Sequence, residues 1–101
     1  MGWVSVKAVL IIHNTVIDTE VNEMLKSVGI ECYTKFPNAL GRGSLSEPHL
    51  DTEIWPGVNC GTLVVVEDDR ARAAMDAVRR LRETLGSEGI KAFLWPIEEI
   101  T

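Results

Sequence analysis

The sequence predicts an α+β fold in which a four-stranded antiparallel sheet carries two helices on one face. Four short apolar segments alternate with two segments of helical period, in the order strand, helix, strand, strand, helix, strand. Each helical segment begins at an aspartate and ends at a glycine. Because each strand–helix–strand unit turns right-handed, both helices are expected on the same face of the sheet.

The first half of the chain contains the first strand, the first helix and the second strand. Val4 to Ile12 is apolar and β-branched, as in a buried central strand. Asp18 predicts the N-cap of a helix and Gly29 its left-handed end. The residues at i, i+3, i+4 and i+7 of this helix form one apolar stripe: Val21, Met24, Leu25 and Val28. Ile30 to Phe36 alternates loosely and predicts the second strand.

A segment without helical or strand period separates the two halves. Between Pro37 and Asn59, proline, glycine, serine and asparagine interrupt every pattern. At about twenty residues this loop is long for a compact domain, which favours a functional role. We therefore expect residues 1–101 to form a single domain with an insertion at about 37–59.

The second half repeats the pattern of the first. Cys60 to Val66 predicts the third strand, Asp68 and Asp69 start the second helix, Gly86 ends it, and Ile90 to Trp95 predicts the last strand. The buried stripe of this helix comprises Ala71, Ala74, Met75, Val78, Leu81 and Leu85. This order of elements is that of the ferredoxin-like βαββαβ sandwich.

One face of the predicted sheet has no helix to cover it. Strands this apolar would leave hydrophobic surface in water, which usually marks an interface. Trp3, Trp55 and Trp95 are candidates for that surface, although packing in the core or at a sheet edge explains each tryptophan equally well. We expect copies of the chain to cover this face.

Composition narrows the classes of function. Ten basic against fifteen acidic residues give a net charge of −5, which argues against nucleic-acid binding. No apolar run approaches the roughly twenty residues of a membrane span, and the first residues lack the order of a secretion signal. Cys32 and Cys60 are too far apart for a C-x-x-C site. They fit small apolar residues packed on strands of a cytoplasmic protein.

Four segments carry a resemblance to a known family. They are residues 17–30 with their Gly29-Ile30 exit, Thr34 to Gly43, Val64 to Asp68, and Lys91 to Ile100. In this order they resemble the first helix, the base of the T-loop, the third strand, and the last core strand with its acidic turn in P-II signalling proteins. The chain is identified as a divergent P-II-like relative of the nitrogen regulatory P-II proteins.

The resemblance implies a function as well as a fold. Family members are typically trimers with inward-facing sheets, and they are not enzymes. They bind small effectors, commonly adenine nucleotides, in clefts between subunits, and the T-loop contacts a target transporter or enzyme. The implied effector-binding residues are Thr34, Gly41, Arg42, Gly43 and Lys91. The glycines beside Arg42 permit close backbone approach, and its guanidinium suits a phosphate or carboxylate.

The chain departs from the family pattern in three places, one of which is its T-loop-like segment, which is shorter and contains no tyrosine. The turn from Gly86 to Lys91 is shorter than the family's Gly-Asp-Gly-Lys phosphate turn, and only the lysine corresponds. The family's C-terminal arginines have no counterpart before Thr101. The resemblance is therefore closer to a P-II-like branch than to a nitrogen regulator.

Three other functions compete with this interpretation. His49 lies beside carboxylates and, with His13 or Cys60, would make a divalent-metal-binding homeostasis protein similar to the CutA type. No pair of these residues has a recognisable ligand spacing, so a surface histidine without metal is the favoured interpretation. An oligomerisation module without a ligand is the second alternative. An enzyme is the least favoured, because no nucleophile elbow, phosphate loop or His-Glu-x-x-His motif is present.

Overall fold

The structure, a computed structural model, describes residues 5–39, 59–85 and 89–101. Its elements are β1 (Val6–Asn14), a 3-10 helix (Thr15–Ile17), α1 (Asp18–Ser27), β2 (Thr34–Ala39), β3 (Asn59–Glu67), α2 (Asp68–Leu85) and β4 (Ile90–Pro96). The four strands form one antiparallel sheet in the order β2-β3-β1-β4. The predicted ferredoxin-like α+β fold is confirmed.

The hydrophobic core lies between the sheet and the two helices. Val9 and Ile11 of the central strand are completely buried and pack with Val64 of β3, Leu25 of α1 and Val78 of α2. Leu25 and Val78 belong to the helical stripes that the sequence predicts. Val9, Ile11 and Val64 lie in its predicted strands, where alternate residues share a face. Among the described residues, no helix is long and apolar enough to cross a membrane.

The other side of the sheet, here called the open face, carries apolar side chains that no described helix covers. Its residues alternate with those of the core: Leu10, between Val9 and Ile11, pairs with Leu63 and Phe93. The most exposed apolar residues of this face are Phe36, Val65, Phe93 and Trp95, each 41% to 49% exposed. Trp95 thus lies on the surface predicted for it, whereas Trp3 and Trp55 lie outside the described residues.

The second strand differs from its prediction. It runs from Thr34 to Ala39 rather than from Ile30 to Phe36. Ile30 is instead buried in the core, immediately after the left-handed Gly29. The strand continues through Pro37 because β2 is an edge strand with a register shift between Phe36 and Ala39, where the missing proline N–H is tolerated.

The start of α1 also differs from its prediction. The helix has Ile17 at its N-cap position without a side-chain cap, so the prediction of Asp18 as the cap is wrong. The chain enters α1 through the 3-10 helix, which Asn14 caps by accepting a 2.8 Å hydrogen bond from the N–H of Val16. Asp18 is therefore the first helical residue, and its carboxylate is free to bind other groups. The second helix begins at Asp68 as predicted.

Gly29 gives a direct test of this helix end. Its φ is +80°, and a Cβ added there would meet only the Arg70 side chain at ordinary contact distance. The Gly29→Ala variant should therefore lose about 1–2 kcal/mol of unfolding free energy through backbone strain alone. Gly29→Asn should lose less, because asparagine tolerates the left-handed region. Urea denaturation measures both, and equal stability of Gly29→Ala and wild type would contradict the assignment.

Candidate functional site

The segments on which the effector prediction depends join the sheet at one end. Asn59, where β3 begins, pairs with Asn14, where β1 ends, and with Ala39, where β2 ends. Ile90, where β4 begins, pairs with His13 at the same end. Residues 40–58 therefore leave and re-enter the sheet at the end that also receives the connection from α2 to β4. The N–H of Asn14 donates a 3.0 Å hydrogen bond to the carbonyl of Gly89 in that connection.

The structure separates the two described residues of the predicted effector site. Thr34 is exposed on β2 and Lys91 is exposed on β4, the two opposite edge strands. Three strand spacings of about 4.8 Å put them roughly 14 Å or more apart, too far for one small anion to bridge. Gly41, Arg42 and Gly43 lie outside the described residues. Within one chain, Thr34 and Lys91 are not brought together.

A polar cluster lies on the helix-facing side of the sheet at the same end. We call it the Asp18 cluster; it consists of His13, Asp18, Lys35, Cys60 and Thr62. The strand register creates it, because His13 pairs with Cys60 and Lys35 pairs with Thr62. The first turn of α1 places the carboxylate of Asp18 over these strand residues.

The Asp18 carboxylate is the centre of the cluster. Its Oδ1 atom accepts hydrogen bonds from the Lys35 ammonium at 2.8 Å and from the Cys60 thiol at 3.6 Å. The same atom lies 3.6 Å from Nε2 of His13. Partial burial acts to raise the pKa of Asp18, but the hydrogen bond and charge of Lys35 outweigh it, so that the pKa is lowered. Asp18 is therefore ionised at neutral pH.

His13 is completely buried and its tautomer follows from its neighbours. Nδ1 lies 3.1 Å from the carbonyl oxygen of Asn14, an acceptor only, so Nδ1 carries the proton. Nε2 then accepts from the Thr62 hydroxyl at 3.3 Å. Burial lowers the pKa of His13 and the charge of Lys35 lowers it further, against the opposing effect of the Asn14 carbonyl. The imidazole is neutral, with its Nε2 lone pair towards the cluster.

The two cysteines have different environments. Cys60 is buried on β3 as predicted, whereas Cys32 is exposed and lies outside the strands, so its predicted packing on a strand is wrong. Burial raises the pKa of the Cys60 thiol, and the charge of Asp18 adds to the effect. Cys60 is therefore protonated at neutral pH and donates to Asp18.

Sequence reasoning missed three members of the cluster, Asp18, Lys35 and Thr62. Asp18 was assigned to the helix cap, and Lys35 lay in a strand predicted three or four residues too early. His13 and Cys60 were considered as metal ligands but only together with His49, which lies outside the described residues. No spacing in the sequence links Asp18 to Lys35 or Cys60, because only the sheet register brings them together.

Comparison with known proteins identifies the fold through solved structures alone. No protein-family model and no curated protein matches the chain. A PII-like signalling protein from Thermus thermophilus is 23% identical with a TM-score of 0.64, over 96% of this chain and 91% of that one. CPII from Thiomonas intermedia, bound to ADP and bicarbonate, is 19% identical with a TM-score of 0.70, over 92% and 86%.

A third similar structure is a complex with ATP. The GlnK–ATP complex of B. subtilis is 15% identical with a TM-score of 0.68, over 92% of this chain and 82% of that one. At these identities the likenesses show that the chain shares the fold of PII-like proteins, over nearly its whole length.

Thiol reactivity tests the two cysteine environments. Because Cys60 is 6% exposed and its pKa is raised, it should react with a thiol reagent about a hundredfold or more slowly than Cys32 in the folded protein. Stopped-flow labelling with Ellman's reagent should show one fast thiol per chain. The Cys32→Ser variant should lose that fast phase, and denaturant should make both thiols fast. Rapid labelling of Cys60 in the folded protein would contradict the buried cluster.

Proposed function

We propose that this chain is a regulatory protein of the P-II-like kind and not an enzyme. It binds a small anionic effector, an adenine nucleotide, in clefts between identical subunits. It contacts a target transporter or enzyme through the loop predicted at about 37–59, whose first three residues and last residue the structure assigns to β2 and β3. The observation that carries the proposal is the placement of Thr34 and Lys91 on opposite edges of a sheet whose open face is apolar. Solved structures of the same fold, bound to ADP or ATP, support it.

Association of two copies of the chain would bring Thr34 of one subunit near Lys91 of another. The β2 edge of one copy and the β4 edge of another are different surfaces, so contact between them would be heterologous. Heterologous contacts close into rings, and a three-membered ring would place Lys91 of one subunit near Thr34 of the next. It would also turn the open faces towards each other, which removes Phe93 and Trp95 from water.

The effector would bind where basic groups meet the base of the loop. Lys91 is exposed near the sheet end at which residues 40–58 begin and end. Arg42, between Gly41 and Gly43, supplies a guanidinium from within that segment. In a chain of net charge −5, a cleft with Lys91 and Arg42 would be a local positive region for phosphate groups.

Regulation would follow from the states of the loop. An effector that binds one loop state more tightly shifts the population towards it, and the target recognises that state. The free thiols Cys32 and Cys60 suit the reducing cytoplasm, where we place the protein.

The trimer is tested by charge substitution on the open face. Size-exclusion chromatography with light scattering should give three times the chain mass of 11.2 kDa. The Phe93→Asp variant should be monomeric, because it buries a carboxylate at the centre of the subunit contact. Val16→Asp is the matched control, since Val16 is 73% exposed on the 3-10 helix, and it should remain trimeric. A wild-type monomer would overturn the proposed assembly.

Effector binding is tested by calorimetry with ATP, ADP and AMP. Wild type should bind at least one of them, and Arg42→Ala and Lys91→Ala should each weaken binding about tenfold or more, as expected for lost charge-assisted hydrogen bonds to phosphate. Arg79→Ala, which removes an exposed arginine paired with Asp76 on α2, should bind as wild type does. Absence of binding in wild type, or equal binding by the Arg42→Ala and Lys91→Ala variants, would count against the site.

A further inference from the structure

The Asp18 cluster is separate from the proposed effector cleft. Its side chains lie on the helix-facing side of the sheet. Thr34 and Lys91 lie on the open face, because successive strand residues point to opposite faces. We propose that His13, Asp18 and Cys60 bind a zinc ion, which replaces the Lys35 ammonium. This site does not depend on the proposed effector function.

Two of the three distances between the ligand atoms are close to those that a zinc ion requires, and the third is within 4.8 Å. Oδ1 of Asp18 lies 3.6 Å from Nε2 of His13 and 3.6 Å from Sγ of Cys60, and all three atoms lie within 4.8 Å of one another. Zinc bonds of about 2.0–2.3 Å in tetrahedral geometry separate ligand atoms by roughly 3.3–3.6 Å. Small side-chain movements would therefore complete the three-ligand arrangement, and water would take the fourth position.

The hydrogen bonding of His13 is that of a metal ligand. Zinc-binding histidines usually donate their other ring N–H to a carbonyl or carboxylate, which fixes the tautomer and the ring orientation. Here the Asn14 carbonyl accepts from Nδ1 at 3.1 Å and leaves the Nε2 lone pair on the cluster side. In the metal-free protein that lone pair accepts from the Thr62 hydroxyl at 3.3 Å, a hydrogen bond that a metal ion would replace. The Asp18 oxygen at 3.6 Å repels the lone pair, and a positive charge nearby offsets that repulsion.

The Lys35 ammonium supplies that positive charge in the metal-free protein. It donates to Oδ1 of Asp18 at 2.8 Å and to the Thr62 hydroxyl at 2.9 Å. The side chains of Asp18 and Lys35 are 36% and 25% exposed, so the cluster is open to solvent on the lysine side. Lys35 is thus both the resident cation and the residue that could swing out to admit another.

The exchange balances charge. Before it, the Asp18 carboxylate and the Lys35 ammonium sum to zero. On metal binding the Cys60 S–H bond breaks, its proton leaves to solvent, a sulfur–zinc bond forms, and Lys35 moves out. The carboxylate, the thiolate and the divalent ion again sum to zero, so no net charge is buried. A thiolate with an imidazole favours zinc over magnesium or calcium, which prefer oxygen ligands.

The test titrates the full-length protein with Co²⁺, a spectroscopic probe of zinc sites, under reducing conditions. Wild type should show a thiolate-to-cobalt charge-transfer band at one ion per chain, and added Zn²⁺ should abolish it. Cys60→Ala should lose the band. Cys32→Ser, which removes the exposed cysteine, is the matched control and should keep the band.

A second variant keeps the test decisive if Cys60→Ala fails to fold. Lys35→Met removes the competing ammonium and leaves all three ligands, so Co²⁺ should bind about tenfold more tightly. Absence of the band in wild type, retention of it in Cys60→Ala, or weaker binding by folded Lys35→Met would overturn the proposal.

Discussion

The handedness of the two crossover connections is the constraint on which the rest of the structure depends. Connections between parallel strands of one sheet turn right-handed. The connections from β1 to β2 and from β3 to β4 are both of this kind, so that α1 and α2 lie on the same face of the sheet. The core forms there, and the opposite face retains exposed residues such as Phe93 and Trp95. A chain of 101 residues has a modest core, so covering this face would add the hydrophobic burial that the helices cannot supply.

The same topology determines where the polar chemistry lies. The end of β2, the start of β3 and the start of β4 lie at one end of the sheet, which makes that end suitable for recognition. At this end the helix-facing side carries Asp18, Lys35 and His13 in place of apolar residues. A partly buried carboxylate there requires a cation, and Lys35 fills that need in the metal-free chain. The two faces of the sheet would thus separate the proposed effector cleft from the Asp18 cluster.

Local sequence patterns predicted most of the fold because helix ends and helix faces depend mainly on residues close together in the sequence. Gly29 was placed correctly, since a left-handed residue after an apolar stripe has few alternatives to glycine. The second strand was misplaced because Ile30 has strand composition but follows α1 into the core, while Pro37 has loop composition but lies on an edge strand. The positions of both residues depend on contacts with residues distant in the sequence, and a local pattern carries no information about those contacts.

The sequence by itself determined the order of the elements, the helix faces and the apolar character of the sheet, because spacings of two and 3.6 residues are properties of the chain alone. Only the tertiary structure decided which polar residues meet. Asp18 and Cys60 are 42 positions apart. Their contact exists because β1 pairs with β3 and α1 begins shortly after β1 ends, at the same end of the sheet. Strand register is a property of the folded sheet, so no short sequence motif predicts the cluster.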